Sequence, residues 1–213
     1  MSRSKVFRFK SSAAAAIVIG LFAGLMLAGC ILEDDDDSEK IDHNYTYTGR
    51  TVQIADLTWM AENLNRVTRD SWCYDNNASN CVKYGRMYTW HAAQTACPAG
   101  WRLPTAEDWI GMLQLAGTGT WEATTKLKST SGWENIRGND CNGSDDFGFS
   151  ALPGGYRMTN GIFYQLGYRA SWWTATERDA HNASYMNLAG DGAYVYNYGD
   201  GKTAGLSVRC IQD

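Results

Sequence analysis

The chain has little of what most catalysis and metal binding draw on. Its three histidines, His43, His91 and His181, sit in no recognisable catalytic motif, whereas nucleophilic hydrolysis needs a nucleophile with a base beside it. Closely spaced His and Cys are missing too, which argues against a transition-metal centre. Basic charge is equally sparse. Residues 43–213 balance 14 bases against 16 acids, so there is no basic stripe to track phosphates and no nucleic acid is expected as a partner. No internal repeat points to a solenoid. The apolar run Ala13 to Ala28 ends short of the roughly 18 to 20 residues that a membrane-spanning helix needs.

That run does have the setting of an export signal. Arg3, Lys5, Arg8 and Lys10 precede it, and Leu27-Ala28-Gly29-Cys30 closes it. A basic start, an apolar centre and small residues at the end follow the order of a signal peptide. The ending resembles the bacterial lipobox, in which the cysteine is acylated and becomes the mature N-terminus. Residues 1–29 are therefore expected to be a lipoprotein signal peptide, with Cys30 lipidated and the chain tethered to a membrane by several acyl chains. Ile31 is not the aspartate that resembles an inner-membrane retention signal, so the outer membrane or cell surface is the expected location. Cleavage removes four of the 19 bases and none of the 23 acids, moving the formal charge from −4 to −8. Much of that excess is local, because Glu33 to Asp42 carries seven acids and one lysine. A like-charge run of this kind is solvated and extended. Residues 30–48 thus read as a lipidated cysteine and acidic linker, and residues 49–213 as one folded domain large enough for a single core.

Besides Cys30 there are five cysteines, in a compartment where disulfides persist. The expected pairs are Cys73 with Cys81 and Cys97 with Cys210, leaving Cys141 unpaired in a polar Gly and Asn loop; spacing alone does not fix connectivity. Chain entropy gives ~2.6 kcal/mol for the short loop and ~4.8 kcal/mol for the long one. Thr51 to Ile54 and Leu57 to Met60 alternate as a hairpin. Tyr88 to Ala96 has helical spacing and Pro98 stops it. A second helix has Thr105 as N-cap, Glu107 and Asp108 in its first turn, and Gly117 at its end. From Phe147 onward, short strands rich in Tyr, Trp, Phe and Val alternate with glycine-containing turns, which suggests an antiparallel meander. The fold class is therefore α+β, with two early helices and a strand-rich C-terminal half.

Several segments resemble a known family. Trp59-Met60-Ala61-Glu62-Asn63-Leu64, Cys97-Pro98-Ala99-Gly100-Trp101-Arg102-Leu103-Pro104 and Phe149-Ser150-Ala151-Leu152-Pro153-Gly154-Gly155-Tyr156-Arg157 occur in order. With Trp72-Cys73-Tyr74-Asp75, Tyr84-Gly85-Arg86-Met87-Tyr88-Thr89-Trp90, Trp172-Trp173-Thr174-Ala175-Thr176-Glu177 and Ser207-Val208-Arg209-Cys210, they resemble the Fibrobacter succinogenes major paralogous domain. The resemblance spans roughly residues 50 to 213 and implies surface or secreted proteins of undefined biochemistry. More distantly, a helix cysteine and a terminal-strand cysteine, early helices and a tryptophan-rich late sheet resemble the C-type lectin-like fold. Formylglycine-generating enzymes have a similar ending. Such likeness of fold implies ligand binding without supplying a site.

The leading expectation is a binding module for carbohydrate or cell-wall polymer, without catalysis. Tyrosine and tryptophan faces can stack on sugar rings while their polar edges make hydrogen bonds. At least two-thirds of the nine tryptophans should be core. Strand alternation sends one of Trp172 and Trp173 inward and leaves the other, with Tyr156, Tyr164, Tyr168, Tyr194 and Tyr196, as a surface candidate. Arg157, Glu177 and Arg209 complete the candidate ligand-binding set; the bland alternative for these three is a buried or half-buried ion pair holding the sheet together. A protein-interaction or surface-assembly module is the second expectation. An enzyme of formylglycine-generating-like or glycosidase type, using acids such as Glu62, Glu177 and Asp146, is the third. No cofactor is expected. Calcium is the one ion for which oxygens alternate, at Asp140, Asn142, Ser144 and Asp146 with Asp145 adding another, but glycine and glutamate are missing from the sixth and twelfth positions of an EF-hand loop.

Overall fold

A computed structural model of the chain describes residues 44–117, 121–190 and 192–213. Cys30, the signal segment, most of the acidic linker and His43 lie outside the described residues. Thr51–Ile54 (β1) and Leu57–Met60 (β2) pair as the hairpin their alternation indicates, from Thr51↔Met60 to Ile54↔Leu57. Ser71–Trp72 (β3) leads through a single 3-10 turn, Tyr74–Asn76, to the helix Ala78–Tyr84 (α1). Next come Met87–Tyr88 (β4), Trp90–Ala96 (α2), Trp101–Arg102 (β5), Ala106–Ala116 (α3) and Trp121–Leu127 (α4). The later half holds Tyr156–Arg157 (β6), Phe163–Tyr164 (β7), Arg169–Glu177 (β8), Asn182–Ala189 (β9), Gly192–Gly201 (β10), Leu206–Ser207 (β11) and Ile211–Gln212 (β12).

The fold is α+β, with four helices among the described residues where the sequence reading gave two. Helix α3 was the legible one. Thr105 accepts from the Asp108 N–H while the Asp108 carboxylate accepts from the Thr105 N–H, a reciprocal cap. Trp109, Met112, Leu113 and Ala116 form its buried face, and Gly117 ends it at φ 132°. Tyr88, expected in the preceding helix, belongs to β4 instead, and α2 starts behind Thr89, whose hydroxyl accepts from the Ala92 N–H. The overlooked helices α1 and α4 have seven residues each.

Three sheets organise the described residues, ordered β1-β2-β12-β5, β10-β9-β8-β11-β4-β3 and β6-β7. The last strand, β12, lies between the opening hairpin and β5, with Ile211 facing both Trp59 and Arg102. Cys97–Cys210 fastens α2 to this last stretch, with Cα atoms 6.0 Å apart, and Cys73–Cys81 closes the loop into α1 at 4.9 Å. Both expected pairs are present. Cys141 is free, as expected, but buried among core residues rather than displayed on a polar loop. No helix among the described residues is long and apolar enough to cross a membrane.

Strands β8 and β9 lie inside the six-stranded sheet, and apolar residues cover both faces of β8. Trp172 joins Trp59, Trp109 and Phe149 in one cluster; Trp173 joins Tyr88, Trp90 and Val208 in the other. Alternation does send the two indoles to opposite faces, but each face is interior. The expectation that one of them meets solvent is therefore overturned: both are 0% exposed. The broader expectation for tryptophan holds, since Trp59, Trp90, Trp109, Trp133, Trp172 and Trp173 are all buried.

Candidate functional site

Two recesses are lined by polar side chains. The first is a cleft of about 470 Å³ where the motif segments meet. After β2 the chain runs alongside the C-terminal motif, with the Met60 N–H on the Cys210 carbonyl and the Leu64 N–H on that of Val208. Asn63 is thereby fixed opposite Arg209. The Asn63 amide donates to the Tyr84 carbonyl at 2.8 Å, and its oxygen accepts from Trp172 Nε1 at 2.8 Å and from Arg209 Nη2 and Nε at 2.8 and 3.1 Å. Gly85 allows this approach: at φ 76°, an added Cβ would lie 2.6 Å from that of Asn63. Glycine is required there by both backbone angle and space.

Arg209 is 1% exposed, donates to the Phe149 carbonyl through Nη1, and lies 4.1 Å over the Phe149 ring. The expected ion pair is not formed: no carboxylate among the described residues reaches ion-pair distance of Arg209, and neutral oxygens and aromatic faces hold the cation instead. Burial pushes its pKa down from the ordinary arginine range. Arg50, Glu62, Asn65 and Lys83 line the same cleft from exposed positions.

The second recess, about 140 Å³, opens beside the β6–β7 hairpin and is lined by Tyr156, Arg169, Ser171, Tyr185 and Asp200 among others. Tyr156 and Tyr164 stack across the hairpin, centroids 6.2 Å apart at 26°, as their register Tyr156↔Tyr164 dictates. Gly155 enables the turn into it, because a Cβ at its φ of 69° would meet the Tyr164 carbonyl at 2.5 Å. The Arg169 guanidinium lies 5.7 Å from the Tyr156 ring centroid, and its Nε is buried with no acceptor among the described residues. On the neighbouring strand Asn187 accepts from Ser171 Oγ at 3.1 Å, while its own Nδ2 is buried without an acceptor among the described residues. Burial raises the Asp200 carboxyl, with the Gly201 N–H opposing. Met158 lines the recess and is exposed, as are Ile162, Tyr164 and Tyr168 on and just after the β6–β7 hairpin.

The remaining candidates are dispersed. Arg157 lies 4.0 Å over the Trp72 ring. Glu177 does form the expected ion pair, with the buried Lys202. Tyr194 and Tyr196 take their places in β10 opposite Asn187 and Tyr185 by backbone register; their side chains lie outside the description. In the oxygen-rich loop, Asp140 accepts from the Asn142 N–H and side-chain amide, Asn142 accepts from the Trp133 N–H, and Asp145 accepts from the Ser150 N–H and hydroxyl. Those oxygens serve their own turns. No group of three or more His, Cys, Asp or Glu among the described residues is arranged to hold a metal ion. Glu62 lines the Arg209 cleft, Asp146 borders an open depression by Trp121, and Glu177 is with Lys202, so the carboxylates considered for glycosidase chemistry stand apart. Sequence reasoning missed Asn63, whose side chain looks ordinary until its four hydrogen bonds are seen, and Arg169, which lies outside the quoted motifs. It also missed Trp121, an exposed tryptophan on α4.

Asn63, Tyr84, Phe149, Trp172 and Arg209, from five of the seven motif segments, converge here. Residues 52–212 match the Fibrobacter succinogenes major domain, and the chain belongs to that family. No curated protein and no solved structure matches it.

Proposed function

We propose that the chain is a lipid-anchored, exported binding module that recognises a carbohydrate or cell-wall polymer at the tyrosine-walled recess, without catalysis. The observation behind this reading is the Arg169 guanidinium lining the recess, whose Nε is buried with no acceptor among the described residues. A buried donor left unmade costs about 1 to 3 kcal/mol, and a hydroxyl-bearing ligand supplies the missing acceptor. Asp200 offers an acceptor for a sugar hydroxyl, and the tyrosines offer faces for its ring. Export through a lipid on Cys30 to the outer membrane or cell surface accords with two disulfides, which persist in oxidising compartments. A C-type lectin-like architecture is supported by the closure of β12 between β2 and β5 and by the Cys97–Cys210 tie.

Calorimetry of the full chain with cellohexaose and chitohexaose tests the reading. Saturable binding that falls about tenfold in Arg169→Gln and is unchanged in Trp121→Ala supports it; a tenfold loss corresponds to about 1.4 kcal/mol. A folded, disulfide-bonded chain that binds neither sugar favours the second reading, a protein-interaction module. The exposed Met158 and Ile162 at the hairpin tip support that alternative.

A further inference from the structure

The Arg209 cleft lies apart from the tyrosine-walled recess and shares none of its lining residues. Its chemistry is different. Three cations, Arg50, Lys83 and Arg209, face it against one carboxylate, Glu62. None of the three cations has an ion pair among the described residues. A guanidinium carries five N–H donors, and Arg209 uses three of them, two on Asn63 and one on Phe149. One N–H on each terminal nitrogen is left without an acceptor among the described residues. A buried cation without a counter-ion is costly by several kcal/mol unless something compensates it.

We propose that this cleft is a binding site for the carboxylate of a uronic-acid sugar, with Arg209 at its floor and Arg50 and Lys83 at its rim. Planar carboxylates match the paired donors of a guanidinium better than any neutral group. A volume of about 470 Å³ lies within the range of small-ligand sites. A sugar acid is favoured over other carboxylates because Asn65 and Glu62 are exposed and make no side-chain hydrogen bond among the described residues. Together they present donors and acceptors suited to ring hydroxyls. The site does not depend on the tyrosine recess, so either can fail alone.

Titration of the full chain with glucuronate, glucose and acetyl-D-alanyl-D-alanine is the test. Glucuronate should bind at least about tenfold more tightly than glucose, from which it differs by a carboxylate in place of one hydroxymethyl group, and should weaken as salt rises. The double surface variant Arg50→Gln/Lys83→Gln removes rim charge without touching the core and should lower glucuronate affinity about tenfold. Arg209→Lys, where it folds, should lower it further, because an ammonium lacks the planar fork. Equal binding of glucose and glucuronate, an unchanged affinity in the double variant, or tighter binding of the peptide than of glucuronate overturns the proposal.

Discussion

Around Trp172 and Trp173 the aromatic rings are sealed on both faces of β8, whereas around the β6–β7 hairpin Tyr164 and Tyr168 stand 39% and 45% exposed. The two regions carry similar residue types and do opposite work. In the first, indoles fill the core and the one polar handle of Trp172 is taken up by Asn63. In the second, tyrosine rings border solvent, and the buried Arg169 Nε has no acceptor among the described residues. Aromatic enrichment in a motif therefore marks packing as readily as binding, and exposure of the rings distinguishes the two regions, since Trp59 and Trp109 in the core also keep an indole N–H without an acceptor among the described residues.

The comparison can be broken most forcefully on its core side. Removing the long disulfide with Cys97→Ser/Cys210→Ser should cost ~4.8 kcal/mol in urea denaturation, against ~2.6 kcal/mol for Cys73→Ser/Cys81→Ser. Similar losses for the two would show that the terminal tie does not matter as its position implies. Trp172→Ala should cost about 3 to 5 kcal/mol, as large-to-small changes in a packed core do. Asn63→Leu should cost about 3 kcal/mol, since the Arg209 and Trp172 donors lose their shared acceptor. If Asn63→Leu is neutral, the motif hub is not an energetic centre.

Acid sharpens the picture at α3. Burial would raise the Asp108 carboxyl, but the Arg102 guanidinium at 2.7 Å and the Thr105 N–H and hydroxyl outweigh it and hold the pKa below 3.8. A depressed carboxyl contributes its stability fully above the unfolded value and loses it as pH falls through the folded one. Thermal midpoints should therefore drop below about pH 4, and by less in Asp108→Asn than in the unchanged chain. The smallest effect is expected at the hairpin, where Tyr168→Ala should change stability by no more than about 0.5 kcal/mol.

Local signals in the sequence were enough for the α+β class, the opening hairpin, α3 and the late meander. Thr105 and Gly117 bracket α3, and glycine turns separate the strands. Helix α1 was hidden because it is short and begins within the loop closed by Cys73–Cys81; the Asn77 side chain caps it by accepting from the Ser79 N–H. Helix α4 buries only Ala123, Thr124 and Leu127, too brief a stripe to register as a period. Of the recess, Tyr156 and the Tyr164 ring stacked on it could be picked out from their strand pattern. The sealing of both tryptophans was not, because alternation tells which residues oppose each other and cannot tell that a second layer covers the far face. Arg169 acquires its meaning only from the recess around it.

The most direct measurement is retention of the full chain on insoluble plant and bacterial polysaccharides, beside Tyr164→Ala and Trp121→Ala. Saturable retention that Tyr164→Ala weakens about tenfold, with an unchanged thermal midpoint and no effect from Trp121→Ala, is the expected result. Retention equal in the unchanged chain and Tyr164→Ala, or lost only in Trp121→Ala, would contradict the assignment of ligand binding to the tyrosine-walled recess.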